Sequence, residues 1–385
     1  MRRLSVSFGP HIQDRLSISC MNYETMVALA PAALLGFYFY GFKALFIMVL
    51  SMASAVASEA ALDRAMKKPF HYCDGSAALT GLLLAMLLPV GVPWWAVIIG
   101  AFVAIFLGRQ LYGGLGGNPF NTVLVGYLVL TLSWPEAVTT YYEPMGMFGL
   151  GGGEFKLFPS EMPVGILAYG SQLNVTDFYS VGAALIGFVP GGIGTSSVLA
   201  LVAGGVYLCV RGIVAWRIPV GFLVGAFVFA LIFWVGPGYF QGGCFAGWHV
   251  LILIAVLAAA LYFRFRNGWS NGSIGAVVAG LILLGLLIFW LTQVNPKVGS
   301  NPFYHVIFGY TIIGAFFLAP DSTTSPSTEM GSLVFGLGAG ILAIIIRMFA
   351  ADLDGVIPAI FFFNVLTPAL DRLRVPSYGQ VKASR

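Results

Sequence analysis

The stretch DGSAALTGLLLAMLLP, residues 74–89, decides what kind of fold this chain can adopt. A short polar opening is followed by an apolar run that contains no charged residue. Such runs are typical of helices that cross a bilayer, whose hydrocarbon core is about 30 Å thick. The whole chain is 59% hydrophobic and 9% charged. Because soluble domains carry roughly 25% charged residues, a soluble core is excluded.

Apolar runs recur along most of the 385 residues, and we predict an all-α polytopic membrane protein of about 12 helices. Residues 178–190 add a half-helix that breaks at a proline and two glycines. Polar backbone is tolerated at membrane depth only where it is buried in protein or lines a cavity, so we expect function at such breaks. The predicted runs are 24–41, 43–61, 77–91, 94–111, 119–134, 198–212, 216–236, 248–264, 271–292, 303–320, 332–350 and 355–370.

The basic residues predict the orientation of these spans. They follow alternate spans and collect on one side, which the positive-inside rule assigns to the cytoplasm together with both termini. The acidic loop 135–177 belongs on the outer face, where Arg347 should be partnered or snorkel to the interface. The net charge of +4 is spread over loop ends without a basic run, so nucleic acid is not a predicted partner. The cytoplasmic set is Arg64, Lys67, Lys68, Arg109, Arg211, Arg217, Arg264, Arg266, Arg372 and Arg374.

Residues 190–197, PGGIGTSS, form a glycine-rich turn that leads directly into a helix. Backbone N–H groups and the positive end of the helix converge there, which suits an anionic phosphate. The turn contains no lysine and is therefore not a Walker loop. The alternative is an ordinary helix start with Thr195 or Ser196 as the N-cap. The candidate ligand contacts are Gly192, Gly194, Thr195 and Ser196.

Residues 113–121, GGLGGNPFN, form a second broken element. The side-chain amides of Asn118 and Asn121 can hydrogen-bond a polar ring system such as an isoalloxazine. Asn118 can equally cap the next helix, with Pro119 at its first position. The sequence leaves ligand contact and helix capping open.

Two acids at helix boundaries, Asp74 and Asp321, are candidates for an ion path or a proton relay, because ionisable groups in a membrane are expensive to bury. The alternative is that each acid and its neighbouring hydroxyls satisfy a helix end. Residues 74–79 and 194–199 echo each other, which indicates a two-repeat core, although small residues that open membrane helices give the same pattern. Cysteine and histidine show no metal-ligand spacing, so no metal site is predicted within this chain.

Several segments, in order along the chain, together resemble one family. They are similar to the D subunit of the Rnf ion-translocating ferredoxin:NAD oxidoreductase complex and to the related B subunit of the sodium-translocating NADH:quinone reductase. The resemblance covers most of the chain and rests on the set rather than on any single motif. The segments are 7–11, 74–89, 113–121, 191–200, 216–220, 314–326 and 347–372.

The resemblance implies a multi-pass subunit of a bacterial or archaeal inner (cytoplasmic) membrane that carries a flavin, either FMN or riboflavin. Its implied partners are a periplasmic flavin subunit, a pair of small membrane subunits that hold an iron–sulfur cluster, and the lipid bilayer. In such a complex redox energy moves Na⁺ or H⁺, and the subunit is not catalytic alone. The flavin supplies the redox chemistry while the protein sets its position and potential.

The chain departs from the family pattern where the covalent flavin belongs. The family usually has a Ser-Gly-Ala-Thr-Pro-Leu-like motif in the outer loop, whose threonine carries FMN through a phosphoester bond. The best counterpart here is residues 160–164, SEMPV, with Met162 in place of the threonine. Methionine has no hydroxyl to esterify, so we predict a noncovalent flavin. Its predicted contacts are Asn118, Asn121, Gly192, Gly194, Thr195 and Ser196.

A second departure is an apolar addition, residues 238–302, which is long enough for a peripheral helical hairpin added to a family bundle of about 10 helices. The predicted organisation is therefore an N-terminal membrane repeat, an outer loop, the start of a second repeat, the hairpin, and C-terminal helices with a cytoplasmic tail. The corresponding residues are 1–134, 135–177, 178–237, 238–302 and 303–385.

Two other functions stay open from the sequence. The chain is an alternative candidate for a small-solute transporter or channel with urea-transporter-like architecture, and for a scaffold subunit that has lost its flavin. A pure channel has no evident need for an anion cradle, which favours the redox subunit. A yellow purified complex would separate these hypotheses.

Overall fold

The computed structural model describes residues 17–67, 74–144, 159–160, 181–235, 302–349 and 354–372. A 3₁₀ turn spans Gln110–Tyr112, and a π-helical turn spans Gly314–Leu318. Two short strands, β1 (Tyr141–Tyr142) and β2 (Pro159–Ser160), pair antiparallel. The helices are α1 (Ile18–Ala65), α2 (Ser76–Leu87), α3 (Trp94–Gly108), α4 (Thr122–Ser133), α5 (Pro135–Thr139), α6 (Val181–Ile186), α7 (Val198–Val210), α8 (Arg217–Val235), α9 (Pro302–Ile307), α10 (Thr311–Ile313), α11 (Glu329–Phe349) and α12 (Val356–Leu370).

The predicted all-α membrane fold is confirmed. The predicted apolar runs that lie within the described residues contain helix, although the run 303–320 is divided into α9, α10 and the π-helical turn. Within the described ranges, Ile18–Ala65, Trp94–Tyr112 and Glu329–Met348 have the length and hydropathy of membrane spans, and shorter apolar helices accompany them. The runs 248–264 and 271–292, with the hairpin that they would form, lie outside the described residues. The two-repeat organisation stays a prediction.

The chain divides into two compact units, of which the first comprises residues 1–160, 186–216 and 316–325. Its central helix is α1, which packs against α2, α3 and α7, while α3 packs in turn against α4. Helix α1 is interrupted at Gly41, whose φ of 70° and ψ of −158° are not helical. Glycine adopts this conformation without a steric penalty, so the first two predicted runs are two halves of one kinked element.

The second unit comprises residues 161–185, 217–315 and 326–385. Helix α8 packs along α11, α11 packs against α12, and α8 also contacts α9. A Cβ added to Gly340 would lie 2.2 Å from the carbonyl oxygen of Phe222. Small residues allow such close backbone approach, which is a main source of helix association in lipid.

A fully buried guanidinium links the end of α11 to other segments of the second unit. Arg347 Nη2 lies 2.7 Å from Asp354 Oδ1 and 3.0 Å from Thr311 Oγ1, and Nη1 donates to the His305 carbonyl oxygen at 2.6 Å. A buried cation needs such partners to offset its desolvation. Of the two predicted alternatives for Arg347, partners or snorkelling to the interface, the structure shows partners.

Candidate functional site

The first unit contains a cavity of about 220 Å³. Its lining comes from the start of α1, from α2, from the segment between α3 and α4, from the end of α7 and from residues 316–323. Many lining side chains are apolar, including Leu79, Leu83, Leu208, Val214, Phe316 and Phe317. The polar lining includes Ser76, Thr80, Arg109, Asn118, Asn121, Thr122, Asp321 and Thr323. An apolar pocket with a few convergent polar groups is the usual form of a small-molecule site.

The glycine segment before Asn118 is an exposed turn. Gly113, Gly114 and Gly116 have φ angles of 104°, 112° and 89°, which glycine adopts readily and other residues rarely do. Asn118 follows this turn and is only 6% exposed. The glycines therefore let a short surface loop deliver a buried amide to the cavity wall.

The Asn118 amide is held in one orientation. Its Nδ2 donates to the carbonyl oxygen of Phe120 at 3.0 Å and to Thr323 Oγ1 at 2.9 Å. No described residue donates a hydrogen bond to Asn118 Oδ1. A fixed acceptor is thus available to an N–H group of a ligand. The alternative in which Asn118 caps the next helix is wrong.

Asn121 is the residue that caps α4. Its Oδ1 accepts a hydrogen bond from the Val123 backbone N–H at 2.9 Å, so the helix begins at Thr122 rather than at Pro119. Its Nδ2 donates to the carbonyl oxygen of Leu318 at 3.0 Å. Asn121 therefore joins the start of α4 to the end of the π-helical turn, beside the cavity that both line.

Asp321 lies in the segment 319–328, outside the helices, and is half-buried in the cavity lining. Its carboxylate accepts hydrogen bonds from Thr323, at 3.1 Å from Oγ1 and 3.4 Å from the backbone nitrogen. Burial raises the pKa of the Asp321 carboxyl, and the bonds from Thr323 act in the opposite direction. Because Thr323 also accepts a bond from Asn118, the acid and the amide share one network.

Asp74 is placed differently from Asp321 and is not among the residues that line the cavity. Its Oδ1 accepts a hydrogen bond from Ser19 Oγ at 3.3 Å, and its carbonyl oxygen accepts one from Asn22 Nδ2 at 2.8 Å. These bonds join the start of α2 to the start of α1. The geometry favours the structural alternative for Asp74 over an ion path.

Arg109 lines the cavity, although the sequence analysis used it only as one of the basic residues that predict the cytoplasmic side. It is 4% exposed, and its Nη2 lies 2.6 Å from Glu59 Oε1. The next residue, Gln110, donates to Asp63 Oδ1 at 2.8 Å. The pattern that indicates this network is a pair of acids four residues apart, Glu59 and Asp63, in a membrane helix, since such acids need buried partners.

The glycine turn 190–197 lies elsewhere in the first unit and does not line the cavity. The Ile193 N–H donates to the Leu88 carbonyl oxygen at 3.0 Å and the Gly194 N–H to the Met86 carbonyl oxygen at 2.9 Å. The Thr195 N–H donates within the turn, to the Gly192 carbonyl oxygen at 3.0 Å. These donors are satisfied within the protein and are not available to a phosphate. We therefore leave Gly192, Gly194, Thr195 and Ser196 out of the proposed flavin site.

The helix that follows the turn has its own cap, which is neither Thr195 nor Ser196. The side chain of Ser197 accepts a hydrogen bond from the Ala200 backbone N–H, at the start of α7. The alternative prediction of an ordinary helix start is therefore correct for this segment, but the N-cap is Ser197, one residue after Ser196. Met162 and the outer-loop motif around it lie outside the described residues, so the absence of covalent FMN stays a prediction.

A family model described as "NQR2, RnfD, RnfE family" matches residues 5–263 and 238–379. The chain belongs to this family. The resemblance drawn from the motifs is therefore confirmed. The match extends over both compact units and includes each segment that lines the cavity.

Curated relatives of the family align with nearly the whole chain, and each is the D subunit of its complex. The relative from the ion-translocating oxidoreductase complex of Ectopseudomonas mendocina (strain ymp) is 30% identical over 386 residues, covering 97% of this chain and 95% of the relative. The relative from the Na⁺-translocating ferredoxin:NAD⁺ oxidoreductase complex of Acetobacterium woodii is 29% identical, with coverages of 99% and 97%. The proton-translocating counterpart from Clostridium ljungdahlii is 29% identical, with coverages of 97% and 95%. Since the last two relatives are named for different ions, similarity does not fix the ion.

Proposed function

We propose that this chain is the flavin-holding membrane subunit of an ion-translocating oxidoreductase complex of the ferredoxin:NAD⁺ type. The names of the relatives support the reaction class and the place in a multi-subunit complex. The setting is a bacterial or archaeal cytoplasmic membrane, and the partners are membrane and periplasmic subunits with further redox centres. The chain contributes a binding site and does not act alone.

The observation that carries the flavin proposal is the fixed acceptor oxygen of Asn118, to which no described residue donates, beside an apolar cavity. An isoalloxazine has a polar edge with an N–H donor between carbonyl groups, and an apolar end that suits the leucine and phenylalanine lining. When bound, the flavin accepts and releases electrons. Asn118 orients the polar edge, Asn121 fixes the start of α4, and the apolar side chains exclude water.

The charges of the cavity favour riboflavin over FMN. Arg109 is the only basic residue among the described residues that line it, and that guanidinium is already paired with Glu59. Asp321 adds a carboxyl to the same lining. A doubly charged phosphate placed there would meet no net positive charge, whereas a neutral ribityl chain can use the hydroxyls of Thr80 and Thr122.

Asp321 is the better of the two acids for the ion path in this proposal. It lies in the same lining as the proposed flavin site and is linked by Thr323 to Asn118. A carboxyl that is half-buried near a redox group can respond to that group's charge by binding or releasing a cation. Asp74, by contrast, joins the starts of two helices.

The test is the flavin content of the purified complex with Asn118→Leu in this subunit. We expect riboflavin in the wild-type acid extract, identified by mass spectrometry, and about a tenfold loss of occupancy in the variant, as removal of one buried hydrogen bond predicts. Asn364→Leu is the matched control, because Asn364 is a buried asparagine of α12 that does not line the cavity. Equal flavin in the Asn118 and Asn364 variants, or a colourless wild-type complex that moves a small solute, would refute the proposal.

The mode of attachment has its own test. Because Met162 has no hydroxyl to esterify, the denatured subunit should show no flavin fluorescence after gel electrophoresis. The native complex should lose its flavin on acid precipitation. A fluorescent band at the mass of this subunit would show a covalent bond and overturn the noncovalent proposal.

A further inference from the structure

Arg109 occupies an unusual position for a membrane arginine. It follows the last residue of α3 and is 4% exposed, yet it belongs to the lining of the cavity. Its carbonyl oxygen accepts the backbone N–H groups of Tyr112 and Gly114, both at 3.2 Å. Arg109 therefore also fixes the start of the glycine turn that leads to Asn118.

Two neighbours hold the guanidinium. Nη1 donates to Ser76 Oγ at 2.8 Å, and Nη2 pairs with Glu59 Oε1 at 2.6 Å. The side chains of Arg109 and Glu59 are 5% and 6% exposed, so solvent screens this pair very little. One turn further along α1, Asp63 binds Gln110. Helix α1 thus fixes two consecutive residues at this edge of the cavity.

The third nitrogen of the Arg109 guanidinium is Nε. Arg109 Nε is buried and has no hydrogen-bond partner in the described part of the chain. Because Arg347 Nε is likewise buried without a partner among the described residues, the missing bond is not specific to this site, and a buried ion pair is in itself a weak stabiliser. The ion pair alone is therefore a weak reason for an arginine at this position, and the place of Arg109 in the cavity lining points to a ligand.

We propose that Arg109 contacts the electron-rich carbonyl edge of the bound flavin, and that Glu59 is a positioning residue that also sets the net charge of this contact. The inference rests on the proposed function, because it takes the cavity to be the flavin site. Asn118 offers an acceptor and Arg109 offers donors, which together match the alternating donor and acceptor groups of that edge. Arg109 is also permanently charged, unlike the amides.

The two charges of the pair act on the flavin in opposite directions. A cation near the carbonyl edge stabilises the negative charge that the ring gains on reduction, so Arg109 raises the reduction potential. Glu59 partly cancels this effect. Arg109→Gln should lower the potential, and Glu59→Gln, which leaves the cation in place, should raise it.

The experiment is a reductive titration of the purified complex with dithionite and redox mediators, followed by flavin absorbance. We expect the oxidised-to-reduced ratio at a fixed potential to change by about tenfold in each variant, in opposite directions, which is about 30 mV for a two-electron couple. The control is the exposed pair of the second unit, Arg217 and Glu329, at 2.9 Å and with side chains 34% and 76% exposed. Arg217→Gln and Glu329→Gln should leave the potential unchanged.

Opposite shifts support the inference, because a purely structural pair would give no shift or shifts of the same sign. If Arg109→Gln does not assemble, Glu59→Gln decides: a higher potential supports the inference, and an unchanged or lower one overturns it. If flavin is present and depends on Asn118 but neither charge variant shifts its potential, the Arg109 inference alone fails. If the wild-type complex holds no noncovalent flavin, the proposed function and this inference both fail.

Discussion

Two glycine-rich breaks, residues 113–121 and 190–197, have similar sequences but opposite environments. In the first, Gly113 to Gly117 are mostly exposed and only the two asparagines are buried. In the second, every residue from Gly191 to Ser197 is buried. The second turn therefore has neither free space nor the N–H groups of residues 193–195 to offer a ligand, whereas the first leads to two asparagines in a cavity lining.

The glycines of the two breaks also serve different needs. A Cβ on Gly192 would lie 2.7 Å from the carbonyl oxygens of both Leu87 and Met86, whereas nothing lies within 4 Å of a Cβ added to Gly113 or Gly116. The buried turn needs glycine because the end of α2 approaches it closely. The exposed turn needs glycine because its φ angles are positive.

The largest expected effect comes from filling the buried turn. Gly192→Val would force the backbone of α2 to move, and we expect a loss of roughly 3 kcal/mol of stability, with poor assembly of the complex. Thermal unfolding of the detergent-purified complex measures this. Leu199→Val, at a position 56% exposed on α7, is the control and should change stability by about 0.5 kcal/mol or less. A stable Gly192→Val complex would mean that the turn is not tightly packed.

A smaller effect is expected at the cap of α4. Asn121→Asp keeps the capping oxygen but loses the donor to the Leu318 carbonyl oxygen, which should cost about 1–3 kcal/mol and lower flavin occupancy about tenfold. Flavin per subunit and thermal unfolding are measured together. Asn121→Ser keeps a capping oxygen without adding a charge and should retain more flavin. Full occupancy in Asn121→Asp would exclude a role of Asn121 in the site.

The two acids give a further contrast. Asp321→Asn should lower ion-gradient formation in vesicles several-fold while electron transfer continues, because an amide cannot take up a cation in place of a carboxyl. Asp74→Asn should leave the gradient unchanged, since Asp74 bonds Ser19 and lies outside the cavity lining. Electron transfer and gradient are recorded in the same vesicles. Unchanged electron transfer and gradient in Asp321→Asn would remove Asp321 from the ion path.

The smallest effect is expected from a hydroxyl of the buried turn. Ser196 Oγ makes two long hydrogen bonds, 3.3 Å to Tyr40 Oη and 3.4 Å to the Gly192 carbonyl oxygen. Ser196→Ala should therefore cost about 1 kcal/mol or less and leave flavin content unchanged. Thr195→Ala should behave in the same way. Loss of flavin in either variant would restore the phosphate site that the sequence predicted there.

Sequence patterns predicted the spans well because a membrane span depends on consecutive residues. The same patterns located the two capped helix starts but not the capping residues, which are Asn121 rather than Asn118 and Ser197 rather than Ser196. Two asparagines, or two serines, in one short segment are equally good candidates for a cap by their chemistry. Arg109 was counted among the cytoplasmic charges because its partner, Glu59, is fifty residues earlier in the chain. Pairings of that range depend on how α1 packs against α3.

Hydropathy and the order of the motifs were enough to identify an all-helical membrane protein of this family and to locate the places where its helices break. Hydropathy and glycine content are local properties, so neighbouring residues suffice to define them. Which of the two breaks forms part of a cavity depends on contacts between distant segments of the folded chain. The carbonyl oxygens of Leu88 and Met86 take the donors of one turn, and Thr323 and Leu318 orient the amides of the other. Those partners come from distant parts of the chain, and only folding brings them within hydrogen-bonding distance.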